Sequence, residues 1–177
     1  MKLLVTGGAG FIGSAFIRKS LIRGYKIINI DSLTYASCIE NLASVKDHSN
    51  YSFINLDIRD RCKVAETVTA IEPDAIIHLA AETHVDRSID SPINFVETNI
   101  LGTFNLLEAA RLYWIKRKNP SNFKFLHVST DEVFGSLGPD GFFTEDSKYS
   151  PRSPYSASKA SSDHLVRAWG ETFNLPV

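Results

Sequence analysis

Short apolar runs alternate with longer amphipathic stretches along almost all of the 177-residue chain. The runs cover residues 3–5, 26–30, 51–56, 75–79 and 123–128. They are mostly continuous rather than alternating, which predicts five strands buried on both faces. Helical patterns fall between and after them at 11–23, 39–47, 61–71, 92–117 and 154–173. Gly24 is placed to end the first helix, and Ser91-Pro92 to begin the fourth as N-cap and first-turn proline. Repeated strand–helix–strand units predict an α/β architecture: a doubly wound parallel sheet with right-handed crossovers and helices on both faces.

Two stretches depart from this rhythm. Residues 134–153 are punctuated by Gly135, Gly138, Pro139, Gly141 and Pro151, with Pro154 at their end, and a loop of that length is expected to cover a site. Asn174-Leu175-Pro176-Val177 reads as the entry to a sixth strand, so the sheet is expected to be cut short before that strand.

The first strand and helix are joined by Thr-Gly-Gly-Ala-Gly-Phe-Ile-Gly over residues 6–13. Gly8, Gly10 and Gly13 fit G-x-G-x-x-G, and Gly7, Gly10 and Gly13 fit G-x-x-G-x-x-G. Between a strand and a helix, such glycines turn the chain, let backbone approach a pyrophosphate and allow close helix–strand packing. The helix N-terminus adds unpaired N–H groups and a positive dipole end. Asp31 closes the second apolar run 18 residues past Gly13, where a ribose-binding carboxylate belongs. Together these predict a dinucleotide site in a Rossmann-type sheet rather than a surface turn.

Net charge is −1 with Lys and Arg dispersed, which argues against a nucleic-acid or membrane surface. The two cysteines, Cys38 and Cys62, form no metal or redox motif, and a reduced, cytoplasmic setting is the simplest expectation. No apolar run approaches bilayer length.

Ligands of such sheets lie beyond the carboxyl ends of the strands, so the residues just after each apolar run are the candidates. After the third come Asp57-Ile58, either an adenine-binding pair or a helix cap. After the fourth come Ala80 and Ala81, small enough for close ligand approach, then the polar cluster Glu82-Thr83-His84-Val85-Asp86-Arg87-Ser88. His84 alone reads as a structural histidine. After the fifth come Ser129-Thr130-Asp131-Glu132, whose adjacent carboxylates suit acid–base work if their surroundings differ, and suit helix capping otherwise. Tyr155 and Lys159, at i and i+4, share a helix face, where an ammonium would lower the phenol's pKa and make it a base for an alcohol.

With these motifs together, the sequence resembles the extended short-chain dehydrogenase/reductase family of nucleotide-sugar enzymes, and within it the dehydratases. The resemblance runs the full chain, through residues 6–13, 31–35, 57–58, 78–89, 97–103, 106–111, 129–135 and 154–159. Thr130-Asp131-Glu132 is its most specific part, since family epimerases and decarboxylases typically lack the Asp-Glu pair. The resemblance implies NAD as cofactor. Gly7, Gly10, Phe11, Ile12 and Gly13 would hold its pyrophosphate, Asp31, Ser32, Leu33 and Thr34 the adenosine ribose side, and Asp57 and Ile58 adenine. Leu79, Ala80, Ala81, Thr83 and Thr98 would line the nicotinamide half, with Tyr155 and Lys159. Substrate-binding residues would be Thr83, Thr130, Asp131, Glu132 and Tyr155, on a nucleoside-diphosphate glucose, with dTDP-glucose expected. The implied reaction is oxidation at C4, loss of water across C5 and C6, and hydride return to C6. Tyr155 would be the first base, Glu132 would take the C5 proton and Asp131 would protonate the leaving hydroxyl. Phe134, where the dehydratases usually have Tyr, is expected to pack only. The resemblance further implies a homodimer through helices 92–117 and 154–173, and a C-terminal nucleotide-sugar lobe beyond the NAD-binding domain at 1–177. A related epimerase or decarboxylase, or an NAD-binding remnant without turnover, are the alternatives.

Overall fold

The computed structural model describes residues 1–118 and 122–177. Five parallel strands form one sheet in the order β3-β2-β1-β4-β5. They are β1 (Lys2–Thr6), β2 (Lys26–Asp31), β3 (Tyr51–Asn55), β4 (Ala75–His78) and β5 (Lys124–His127). The helices are α1 (Phe11–Ile22), α2 (Arg61–Ile71), α3 (Val85–Asp90), α4 (Pro92–Phe95), α5 (Thr103–Lys116) and α6 (Pro154–Phe173). The strand order reverses between β1 and β4, which opens a crevice at their carboxyl ends.

Period-2 alternation explains the two cores. Leu3, Val5, Ile27, Ala75 and Ile77 face Ile17 and Leu21 of α1 and the buried Leu42. Leu4, Ile28, Ile30, Ile76 and Phe125 face the other way, against Val64 and Val68 of α2 and Leu106, Leu107 and Tyr113 of α5. Each fully buried aliphatic side chain stabilises the fold by about 2 kcal/mol. The expectation of strands buried on both faces holds for β1, β2 and β4, but not for β3 and β5, where Ile54 and Leu126 are exposed. β3 and β5 are the two edge strands of the sheet.

Two helical expectations are corrected. Residues 39–47 form a 3-10 turn at Ile39–Val45, with Leu42 alone buried. Residues 92–117 are not one α-helix: α4 passes into a π-helical segment, Val96–Gly102, before α5. The polar cluster after β4 leads into a further short helix, Val85–Asp90. Ser91 begins α4 with Pro92 in its first turn, but its side chain makes no cap bond and accepts from Asn94 instead. Gly24 ends α1 with φ +77°. Beside β5, the Phe125 N–H donates to the Pro176 carbonyl, and Leu175 is buried. Among the described residues no helix is long and apolar enough to cross a membrane.

Candidate active site

The crevice holds a cavity of about 870 Å³. Its floor is the turn between β1 and α1. The Gly7 N–H donates to the Ile30 carbonyl, and Gly7 adopts φ +69°. A Cβ at Gly7 would lie 2.6 Å from the Ala80 nitrogen, and one at Gly13 would collide with the Gly7 carbonyl oxygen. A Cβ at Gly10 meets only Gly7 O at 3.3 Å and Ala36 O at 4.0 Å. So Gly7 and Gly13 are demanded by packing, while Gly10 keeps a ligand-facing surface low. α1 buries Gly13, Ser14, Ile17, Ser20 and Leu21, leaving Phe11 88% and Ile12 61% exposed on the cavity wall. Large apolar side chains held in the open at a helix N-terminus are what a bound, partly apolar anion would cover.

Asp31 is buried and already employed. One oxygen accepts from the Ala9 N–H at 2.9 Å; the other accepts from the Leu33 N–H at 2.9 Å and the Ser37 hydroxyl at 2.7 Å. It ties the glycine turn to the loop after β2, whose Cys38 N–H returns to the Ala9 carbonyl at 2.9 Å. Ser32 and Thr34 line the cavity, as do Asp57 and Ile58. Leu33 does not; it takes φ +54°. Burial raises the Asp57 carboxyl, but hydrogen bonds from Arg59 outweigh it and hold the group below the usual carboxylate range.

On the far wall stand Leu79, Ala80, Ala81, Glu82, Thr83, Thr98, Ser129, Thr130, Tyr155 and Lys159. Asn99, buried in the π segment, braces this wall. Its side chain accepts from the Glu82 N–H at 2.8 Å and donates to the Glu82 carbonyl and the Ser158 hydroxyl, both at 2.9 Å. Below it, buried His78 bridges the hydroxyls of Thr6 at 2.7 Å and Thr103 at 3.0 Å. Burial, with His127 and Lys159 nearby, pushes His78 well below its usual pKa, so it stays neutral.

Tyr155 is 8% and Lys159 5% exposed, and both reach the cavity from α6. The Ser153–Ser156 capping box starts that helix and sets their direction. The expected lowering of the Tyr155 pKa by Lys159 does not occur. Burial raises it, the Thr130 hydroxyl opposes, and the Glu132, Asp131 and Asp163 carboxylates raise it further. Lys159 instead donates to the Val128 carbonyl at 2.7 Å, and burial lowers its pKa to about 8 against the pull of Asp163. Asp131 and Glu132 sit on a 3-10 turn, Asp131–Phe134, capped by Thr130. Both are exposed, and neither is among the residues lining the cavity.

Residues 135–153 do not line this cavity either, contrary to the expectation that they cover it. Phe134 packs against Phe143 and Tyr149, with ring centroids 5.4 and 5.6 Å apart, which is the packing role expected of it. Tyr149 in turn donates to Asp163 at 3.0 Å, so the segment is drawn outward along α6.

Asp163 is a residue that motif reading missed. It also accepts from the Ser129 hydroxyl at 2.5 Å, and its other oxygen lies 3.1 Å from His127 Nε2. Burial raises its carboxyl, but the pull of His127 and the hydrogen bonds from Ser129 and Tyr149 outweigh this and lower it. The available signal was position: Asp163 lies one turn beyond Lys159 on the same helix face.

A family model described as GDP-mannose 4,6 dehydratase matches residues 4–177. The dTDP-glucose 4,6-dehydratase of Neisseria meningitidis serogroup B is 56% identical over 180 residues, covering 99% of this chain and 50% of that one. A solved dTDP-glucose 4,6-dehydratase from Streptomyces venezuelae, with NAD bound, superposes at a TM-score of 0.89 with 46% identity, covering 99% of this chain and 53% of that one. A UDP-glucose 4-epimerase from Thermus thermophilus, in complex with NAD, superposes at 0.86 with 33% identity, covering 99% and 52%. The chain spans about half the length of the curated relatives it matches. Fold likeness barely separates the dehydratase from the epimerase; sequence identity does.

Proposed function

The chain belongs to the GDP-mannose 4,6-dehydratase family, and from that premise we propose that it carries the cofactor-binding and acid–base apparatus for NAD-dependent dehydration of dTDP-glucose to its 4-keto-6-deoxy product. The observation that carries this reading is convergence. The glycine turn, Thr130, and the Tyr155 and Lys159 side chains all meet on one cavity of about 870 Å³.

The roles proposed for the residues follow their positions. Gly7, Gly10 and Gly13 with Phe11 and Ile12 form the pyrophosphate floor, Asp31, Ser32 and Thr34 the ribose lip, Asp57 and Ile58 the adenine end. Leu79 to Ala81, Thr83 and Thr98 line the nicotinamide half, with Tyr155 and Lys159. NAD held there supplies hydride acceptance and return. Tyr155 takes the C4 hydroxyl proton, and its raised pKa means that it rests protonated until a cation settles the phenolate. Lys159 is the buried cation nearest in sequence to do so. Thr83 and Thr130 orient the sugar. Glu132 removes the C5 proton, acidified by the adjacent carbonyl, and Asp131 gives its proton to the departing C6 hydroxyl. Asp131 and Glu132 are exposed on their turn, which leaves their carboxylates accessible to a sugar arriving from solvent.

The test is mass spectrometry of dTDP-glucose incubated with the chain and NAD+ in deuterated water. The expected product has lost one water and gained one carbon-bound deuterium, and the Glu132→Gln variant loses that exchange while still binding NAD+. Epimerisation would leave the mass of the dehydrated species absent, and is the second reading, favoured only by the fold likeness. The homodimer is supported by Ile93, Val96, Leu101, Leu112 and Ile115, which stand exposed along the α4–α5 stretch. Sedimentation as a monomer at micromolar concentration would remove it.

A further inference from the structure

The loop after β2 and the segment after β4 lie on opposite sides of β1, because the strand order places β1 between them. They nevertheless touch. The Tyr35 hydroxyl donates to Glu82 at 2.7 Å, and the Arg87 guanidinium lies over the Tyr35 ring, 3.6 Å from its centroid. His84 flanks the same ring at a centroid distance of 5.6 Å. A contact between those two segments passes over the carboxyl end of β1, where the glycine turn sits. All four residues line the cavity.

Both abutments are rigid. The Tyr35 loop is anchored by the three hydrogen bonds of Asp31 and by the Cys38 N–H on the Ala9 carbonyl. Glu82 is held through its backbone on both sides by buried Asn99. The span between them rests on one side-chain hydrogen bond, one cation–π contact and the ring contact with His84, all made by the Tyr35 side chain. Burial and Glu82 push the Tyr35 phenol up to about 12, so it remains a donor at any ordinary pH. The Arg87 side chain makes no ion pair or hydrogen bond among the described residues, and it lines the cavity.

We infer that Tyr35 and Arg87 form a strap that closes over the diphosphate of a bound dinucleotide and slows its escape. This rests on the cofactor reading above. It adds a function that the glycine turn cannot perform. A turn of backbone N–H groups binds an anion from one side, and the strap encloses it from the other, with a guanidinium suited to phosphate oxygens. A strap acts mainly on departure, since closure follows entry; its signature is therefore in the dissociation rate.

The experiment is stopped-flow displacement of NAD+ from the chain, with equilibrium dialysis for affinity. Tyr35→Ala and Arg87→Ala are each expected to speed dissociation about tenfold with little change in association. Tyr35→Phe keeps the ring under the guanidinium and is expected to fall between wild type and Tyr35→Ala. The double variant should lose no more than the worse single, because both residues serve one contact. Far-UV circular dichroism checks folding; Tyr35 and Arg87 are exposed, so the variants should keep the wild-type spectrum. Dissociation rates within about twofold of wild type in both alanine variants overturn the strap alone. Absence of NAD+ binding by the wild-type chain overturns the cofactor reading and the strap with it.

Discussion

The two walls of the cavity are built on opposite terms. The floor and the β2 side use groups whose structural and binding roles agree. Glycines sit where no side chain fits, and a buried carboxylate has each oxygen satisfied by chain donors. The β5 and α6 side uses groups that the fold would be better without. Lys159 is buried with its pKa driven down to about 8, and Tyr155 is buried beside three carboxylates. His127 Nδ1 is buried there without a hydrogen-bond partner among the described residues. Such costs collect where chemistry needs charge in a dry place. One wall is a mould and the other a reservoir of electrostatic strain.

On that contrast, the largest loss of stability comes from the mould. Gly13→Ala drives a methyl into the Gly7 carbonyl oxygen, with backbone on both sides and no side chain able to yield. Its expected cost is about 3 kcal/mol, read as a lowered midpoint in urea. A loss below about 1 kcal/mol would show the turn to be more yielding than its geometry implies. Next comes Asp31→Asn, which turns an amide N–H toward donors on one side of the group. The expected cost is about 2 kcal/mol, together with weaker NAD+ binding.

The smallest effect has the opposite sign. Lys159→Met removes a buried charge and is expected to stabilise the fold by about 1 kcal/mol at pH 7, while abolishing turnover. The Val128 carbonyl loses its donor in that variant, which keeps the gain modest. The sign can be checked by pH. Lys159 has a folded pKa of about 8, below that of an unfolded lysine. Its cost is therefore fully present below about pH 8 and is relieved as pH rises toward the ordinary lysine value. The stability difference between variant and wild type should shrink over that window. A constant difference across it would mean that Lys159 carries no such cost.

Much of the mould was legible in the sequence. Strands with continuous apolar residues, a glycine-spaced turn and an acidic residue closing the second strand are local patterns, and local sterics decide them. The reservoir was legible only as residue types. That Tyr155 rests high rather than low depends on burial and on carboxylates from outside its own helical turn, which spacing on one helix does not reveal. Asn99 follows Glu97 and Thr98 with nothing local to mark it, and its partners Glu82 and Ser158 lie 17 and 59 residues away. The helix Val85–Asp90 escaped notice because six residues are too few to show a 3.6-residue period. The outward course of 135–153 is set by ring contacts and by Asp163, all non-local.

The π segment at Val96–Gly102 works as an indexing joint. A wider turn accommodates one residue more than an α-helix would, so the stretches before and after it are out of phase. Asn99 can then reach Glu82 while the Thr103 hydroxyl takes up the Asn99 carbonyl at 2.6 Å, and Gly102 lets Ile58 come close. Deleting a single residue here would restore an uninterrupted α-helix and turn everything before the joint by about 100°. Thr98 would swing off the cavity wall and Asn99 off Glu82, with the hydrophobic content of the helix almost unchanged. In this helix, residue count sets the angular placement of the site as much as residue identity does.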